Sequence, residues 1–444
     1  MNSWKMVDPL MRRQGENVLK RLRETGFQAY FVGGCVRDEL MGRPVHDMDI
    51  ATSAKPEEVI ALFDRTVPTG IQHGTVTVLM NGQAFEVTTF RKEAEYEDHR
   101  HPSSVEFVEE LTSDLRRRDF TMNAMACDES GRITDVFGGR RDIEAGVIRC
   151  VGDAAERFDE DALRMMRAVR FASVFAFRPA KSLWAALRGG RAKIAYIAME
   201  RIRAELEKIV LGPYPLRGLA LLQRSGLLES VKAPVPQAAL TALRDEGRLT
   251  LLNALESFPP DAAEIRWSLL LQALGVPGEE AAGLMKKWTF SNAAAQGAAD
   301  LLRFDEHWNA AREGSDGDLT LLRRHWIELE LRFGKKIAAS WLDRRETLLR
   351  SETGPEAAIG RSVAEKLDRL RREEGRWHRE TVVHTLGELA VTGGDILQYI
   401  GRKGGPWLGE LMKELLFEVA SGQLDNQRER LLEFAKVVVN EDGA

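Results

Sequence analysis

Apolar residues recur at helical spacing from about Asp8 to Thr25, and QAYFVGG then sets a short apolar run against paired glycines, the pattern of a strand ending in a tight turn. The chain next reads VRDELMG as helix, DMDIAT as strand and KPEEVIALFD as helix. GTVTVLM and QAFEVTTF follow as two strands joined across Asn81-Gly82, a dipeptide suited to a hairpin turn. This mixture predicts one α+β unit up to about residue 150. Beyond Cys150 the alternation nearly vanishes, and helical periods dominate DEDALRMMRAVRFASVF, MERIRAELEKIVLG, AEIRWSLLLQALG, TLLRRHWIELELRFGKKIAASWLDRR and LGELMKELLFEVA. Proline and glycine clusters at GPYPLRG, KAPVPQ, FPPD and SETGPEAAIG mark the expected breaks between helical parts. Trp267, Trp288, Trp308, Trp326 and Trp341 fall on these helical patterns and are expected in packing, not as stacking platforms for bases.

The 444 residues suffice for about two to four compact units. With 44% hydrophobic and 30% charged residues and a net charge of −5, the chain is neither generally disordered nor a uniformly basic nucleic-acid binder. Charge is uneven, however: Asp161 to Lys208 holds 11 Lys or Arg against 4 Asp or Glu, a surface suited to phosphates. Cys35, Cys127 and Cys150 show no zinc spacing and fit free thiols in a reducing compartment. The first residues lack the apolar core of a signal peptide, and no run approaches the ~20 apolar residues of a membrane helix. A cytoplasmic protein without membrane association is expected.

The sharpest chemistry lies in PVHDMDIATSA, where Asp47 and Asp49 are one residue apart. On a strand, residues i and i+2 share a face about 6.6 Å apart, so both carboxylates converge. Hard oxygen ligands of this kind suit Mg²⁺, which takes one or two carboxylates plus substrate phosphates and water. Glu86, in FEVTTFR, is a third candidate carboxylate; an outward-facing strand residue explains it equally well. Upstream, Gly33 and Gly34 join a strand to a helix, an arrangement that lets phosphate oxygens approach backbone N–H groups. A surface loop accounts for an isolated DxD and a structural turn for a glycine pair; their proximity within one small α+β unit favours function.

As they stand, VGGCVRDELMGRPVHDMDIATSA, FEVTTFR, RRRDFTMNAMA, DVFGGRRDIEAGVIR and DEDALRMMRAVRF resemble, in order, the motifs of the class II tRNA nucleotidyltransferase and bacterial poly(A) polymerase family, within the DNA polymerase β superfamily. The likeness is strong over the first half of the chain. In the second half it rests on helical texture and on VTGGDILQYIGRKGGPWLGELM. It implies an α+β nucleotidyltransferase head with a small mixed sheet over 1–149, followed by an all-α remainder: a neck for base recognition at 150–212, an RNA-binding body at 213–320 and an RNA-binding tail at 321–444, in an elongated molecule. The implied reaction is addition of C, C and A from CTP and ATP to the 3′ end of tRNA by two-metal transfer with Mg²⁺, the tRNA being held at its acceptor stem and elbow. Poly(A) addition, or addition of A or CC alone, are the alternatives within the family, and a noncatalytic RNA-binding protein is a remoter one.

By matching motif, Asp47 and Asp49 would hold metal, with Gly33, Gly34 and Arg37 near the triphosphate and Asp119 and Asn123 at the ribose. Arg118 would serve phosphate or pair with Asp119. Asp161 and Arg164, at i and i+3 of a predicted helix, would read the base, helped by Glu160, with Arg167 and Arg170 also near nucleotide. A carboxylate accepts from an exocyclic amine and a guanidinium donates to ring nitrogens or carbonyls; cytosine and adenine carry that amine where uracil and guanine carry a carbonyl. An intrahelical salt bridge is the plain alternative for Asp161 and Arg164. The polar segment 91–107 is expected as a mobile loop; relatives that add only CC look shortened there. His73, His99 and His101 are expected at the surface, not as ligands.

Overall fold

The computed structural model describes residues 4–93, 105–235, 251–352 and 361–441. They form two compact units, Met1–Pro236 and Gln237–Ala444.

The first unit begins with α1 (Pro9–Glu24), whose start is set by Asp8 accepting the amides of Leu10 and Met11 at 3.0 Å each, with proline at the first helical position. There follow β1 (Ala29–Val32), α2 (Gly34–Leu40), β2 (Ile50–Thr52), α3 (Pro56–Leu62), β3 (Thr66–Gly70), β4 (Thr75–Met80) and β5 (Gln83–Thr89). After them come β6 (Arg91–Glu93), β7 (Val105–Phe107), α4 (Leu111–Arg116), β8 (Ala126–Cys127) and β9 (Ile133–Thr134). Among the described residues, seven strands make one mixed sheet in the order β3-β4-β5-β2-β1-β8-β9, with β2 parallel to β5 and the other neighbours antiparallel.

Alternation along the strands sorts side chains between two cores. Phe31, Ile50, Val76, Val78, Phe85 and Val87 pack with Val18, Leu19 and Leu22 of α1 and Val59 of α3, while Val32, Ala51, Phe90 and Ala126 pack with Leu111 and Leu115 of α4 on the other face. Each burial of a Val, Leu, Ile or Phe side chain stabilises by ~1.5–3 kcal/mol, against ~1 kcal/mol for a cap, so the sheet contact dominates the placement of α1. Gly15 permits it: a Cβ there would lie 3.0 Å from the Phe31 ring and 3.1 Å from that of Phe85.

Two expectations shift. The predicted strand DMDIAT shortens to Ile50–Thr52, with the aspartates in the segment leading into it. The segment read as a loop over 91–107 begins and ends in paired strands, β6 against β7; residues 94–104, with His99 and His101, lie outside the described residues.

Mostly helices then complete the unit: α5 (Gly139–Glu144), α6 (Ala154–Glu160), α7 (Leu163–Val174), α8 (Lys181–Gly190), α9 (Met199–Val210) and α10 (Pro215–Ser225), with one short parallel pair of Val147–Ile148 and Arg178–Pro179 among them. Met165, Met166, Ala168, Val169 and Ala172 bury α7.

The second unit is helical throughout its described secondary structure. The helical stretch TLLRRHWIELELRFGKKIAASWLDRR divides into Leu319–Phe333 and Lys335–Glu352 at Gly334, whose φ of +89° no helix accommodates. The five tryptophans are buried as expected, and Trp308, Trp326 and Trp341 donate to Glu374, Glu330 and Asp305 at 2.8–2.9 Å.

Candidate active site

At the end of β1 the chain turns through Gly33, with φ +75°, into α2. A Cβ on Gly33 would stand 2.9 Å from Nη1 of Arg118, so glycine both makes the turn and admits that guanidinium. Arg118 does not pair with Asp119, as one reading of the sequence had it; its Nη2 lies 3.2 Å from Asp114, one helical turn earlier in the chain. Its Nε is buried without an acceptor.

Asp47 and Asp49 precede β2 yet still share a side, because the intervening Met48 turns into the core. The main chain is pinned by the Val32 amide donating to the Asp49 carbonyl at 2.9 Å. Since Ile50 lies opposite Val87 in the parallel pair of β2 and β5, Asp49 and Glu86 fall side by side, one residue earlier on each. Burial first, then the charges of Asp47 and Glu86, push the Asp49 carboxyl up to about 6 against the pull of Arg118. A cluster of hard oxygens under mutual repulsion suits a divalent cation. The donor set is small: Asp47 and Asp49 face the cleft and Glu86 does not line it, and among the described residues no group of three or more His, Cys, Asp or Glu side chains is gathered to hold a metal.

Beside the pair runs a connected polar wall. Arg37 grips Asp38 through Nε and Nη2 at 3.0 and 2.7 Å and donates from Nη1 to Asn123 at 2.6 Å. Its guanidinium lies 4.9 Å from the centre of the Phe175 ring. Asn123 donates to Asp119 at 3.0 Å, and Arg167 clasps Asp119 with two bonds of 2.8 and 2.6 Å. Burial opposes ionisation of Asp119, but Arg167, Asn123 and Arg164 outweigh it and hold the carboxyl down at about 2. Arg170 pairs with Glu205 of α9.

Asp161 and Arg164 do not share a helix. α6 ends at Glu160, Asp161 adopts φ −139° and ψ 105°, and α7 starts at Leu163. The break has a local cause: the Asp161 side chain accepts the Leu163 amide at 3.0 Å, a local side-chain-to-backbone bond that competes with continuation. Nor do the two pair with each other. Asp161 takes Arg201 of α9 at 3.0 Å. Arg164 is held by Glu160, by the Arg157 carbonyl at 3.1 Å and by the Arg117 carbonyl at 3.0 Å.

One cleft of about 1030 Å³ gathers these groups: Gly33, Gly34, Arg37, Asp47, Asp49, Arg118, Asp119, Asn123, Asp161, Arg164, Arg167 and Arg170 all line it. Among the described residues nine arginines and lysines there face five aspartates, a field fitted to a polyanion with one acidic corner for a cation.

Known proteins resemble the chain along most of its length. Residues 29–149 match the poly A polymerase head domain, 176–240 the "Probable RNA and SrmB-binding site of polymerase A", and 364–435 the tRNA nucleotidyltransferase domain 2. The CCA-adding enzyme of Geobacillus stearothermophilus is 39% identical over 422 residues, covering 93% of this chain and 94% of the relative. The chain belongs to the CCA-adding enzyme family. The CCA-adding enzyme of Enterococcus faecalis is 38% identical over 431 residues, 96% and 95% of the two chains. A crystal structure of the Bacillus stearothermophilus CCA-adding enzyme in complex with CTP superposes with a TM-score of 0.75 at 35% identity, over 98% of this chain and all of that one. Membership of this nucleotidyltransferase family implies use of a divalent metal.

For a CCA-adding enzyme, sequence reasoning missed several cleft residues: Asp38, His46, Arg91, Arg117, Phe171, Arg201 and Lys208. Arg201 and Lys208 were within reach of it, since both belong to the locally basic stretch from Asp161 to Lys208. His73, expected at the surface, is exposed but also borders the cleft.

Proposed function

We propose that this chain completes the 3′ end of tRNA, adding C, C and A from CTP and ATP without a nucleic-acid template. The observation that carries the reading is the union, in one arginine-rich cleft, of the Asp47/Asp49 corner with the Asp161 and Arg164 side chains. At each step the terminal 3′ oxygen of the RNA bonds to the α-phosphorus and loses its proton. The bond from that phosphorus to the bridging oxygen breaks, and pyrophosphate leaves. Asp47 and Asp49 are the residues that would hold Mg²⁺, with Glu86 adding negative charge behind them; two such ions supply activation of the hydroxyl and stabilisation of the leaving group.

Gly33, Gly34, Arg37 and Arg118 receive the triphosphate, Arg118 having a buried Nε still to satisfy. Asp119 and Asn123, locked together and to Arg167, meet the ribose. Asp161 accepts the amino group shared by cytosine and adenine, Arg164 donates to the ring, and uracil or guanine sets a carbonyl against the carboxylate. Arg170, tied to Glu205, backs this wall. In this reading the head is 1–149 and the neck 150–212, the body (213–320) binds RNA and the tail (321–444) takes the tRNA elbow, in a cytoplasmic enzyme whose Cys35, Cys127 and Cys150 are buried free thiols. No helix among the described residues is long and apolar enough to cross a membrane.

The test is incubation of the protein with Mg²⁺, tRNA lacking CCA and all four nucleoside triphosphates. Three nucleotides followed by a halt are expected; a long A tail would instead mark a poly(A) polymerase. Asp47→Ala with Asp49→Ala should reduce incorporation to background while tRNA binding persists, and persistence of incorporation would sink the metal assignment.

A further inference from the structure

Asp161 lies between helices, where no helical backbone fixes its side chain. Two contacts do so instead. Oδ1 accepts the Leu163 amide and Oδ2 accepts Nη2 of Arg201, both at 3.0 Å. The partner suggested by sequence spacing, Arg164, is occupied with Glu160 and two carbonyls, so the guanidinium that holds Asp161 comes from α9, 40 residues along the chain.

α9 is arranged for this work. Arg201, Glu205 and Lys208 recur at i, i+4 and i+7 and so form one stripe of the helix. Arg201 and Lys208 line the cleft, while Glu205, buried, holds Arg170. Each charge that α9 presents is opposite to the one it secures: a cation for Asp161, an anion for Arg170. Nη1 of Arg201 is buried without an acceptor, an expensive state for a donor that an oxygen or ring nitrogen carried in by the nucleotide would relieve.

We propose that Arg201 is a positioning residue for nucleotide choice, holding the Asp161 carboxylate in the one orientation that accepts an exocyclic amine and repels a carbonyl. The inference rests on the reading of Asp161 as a base-contacting group. With one lone pair on each oxygen taken by Leu163 and Arg201, each oxygen keeps another for the base. A carboxylate released from Arg201 turns away from an incoming carbonyl, and the penalty against uracil and guanine goes with it. A base contact of this kind discriminates by roughly five- to 150-fold.

The experiment uses full-length Arg201→Gln and Arg201→Lys, with kcat/KM measured for CTP against UTP and for ATP against GTP on tRNA primers. CTP and UTP binding is measured separately by calorimetry without primer, and thermal melting is recorded. Arg201→Gln should lower the CTP-over-UTP ratio by about tenfold or more, chiefly by raising use of UTP relative to CTP, with Arg201→Lys, which keeps the charge but loses the planar fork, between it and wild type. Equal loss for CTP and UTP, or a ratio within twofold of wild type, overturns the proposal and leaves Arg201 a structural residue. Should the glutamine variant fail to fold, the lysine variant decides by the same ratio. If the wild-type chain does not extend tRNA, the underlying function fails; the binding ratio of CTP over UTP still tests the role of Arg201.

Discussion

Asp119 is the carboxylate to which the ribose-facing wall is tied, through Asn123 at 3.0 Å and the two-pronged grip of Arg167. Held at about 2 in the folded chain and near 3.9 when unfolded, it binds protons more readily in the unfolded state. Its contribution to stability is therefore complete above pH ~4 and is lost as pH falls through about 2. Asp119→Asn also strands the Arg167 charge, so denaturation at pH 7 should show a loss of roughly 3–5 kcal/mol, narrowing as pH drops below 4; a loss independent of pH would contradict the assignment. The sequence made Asp119 and Asn123 visible because RRDFTMNA carries them within one turn. It left Arg167 unconnected, 48 residues away, and made adjacent Arg118 an equal claimant. What decides between them is that Arg118 lies one helical turn beyond Asp114, a fully buried carboxylate that also takes Arg117.

At the level of elements, most of the first unit was legible: the strand, glycine turn and helix around Gly33, the Asn81-Gly82 hairpin and the switch to helices after Cys150 all follow from local pattern. The strand carrying the aspartates was overcalled because alternation persists into the lead-in to β2, whereas ladder pairing with β5 begins only at Ile50. The helix through Asp161 was overextended because periodicity cannot see a side chain that bonds the first amide of the helix that follows it. Packing among α7, α9 and α10 was beyond reading too. α10 lies against the other two at Gly218, where a Cβ would stand 2.3 Å from Ile209 and 2.8 Å from the Ser173 hydroxyl, and Ser173 in turn donates to the Tyr214 carbonyl at 2.8 Å. Gly218→Ala forces these helices apart under the cleft and should cost about 1–3 kcal/mol, read from the denaturant midpoint. A neutral or stabilising result, as helix propensity alone would give, would show that α10 can shift freely.

For the whole molecule, an α+β first part and a helical second part follow from periodicity, but the chemistry inside the second unit does not. Periodicity assigns charged residues to solvent, yet Glu330, Glu374 and Arg344 are at most 1% exposed, in a core of tryptophans whose indole N–H groups need acceptors. Glu330 takes the Trp326 N–H together with His378 and His384, each at 2.9 Å. Glu374 takes Trp308 at 2.9 Å and pairs with Arg345. Removing the carboxylate of Glu374 leaves a buried guanidinium and an indole N–H unmatched, a change that typically costs about 3–5 kcal/mol. Every described residue lining the nucleotide cleft belongs to the first unit, so damage confined to the second removes none of those side chains. Glu374→Ala should therefore lower the melting transition of the helical unit while the affinity for CTP, measured below that transition, stays within about twofold of wild type. Loss of CTP binding in step with the melting change would mean that the cleft depends on the fold of both units.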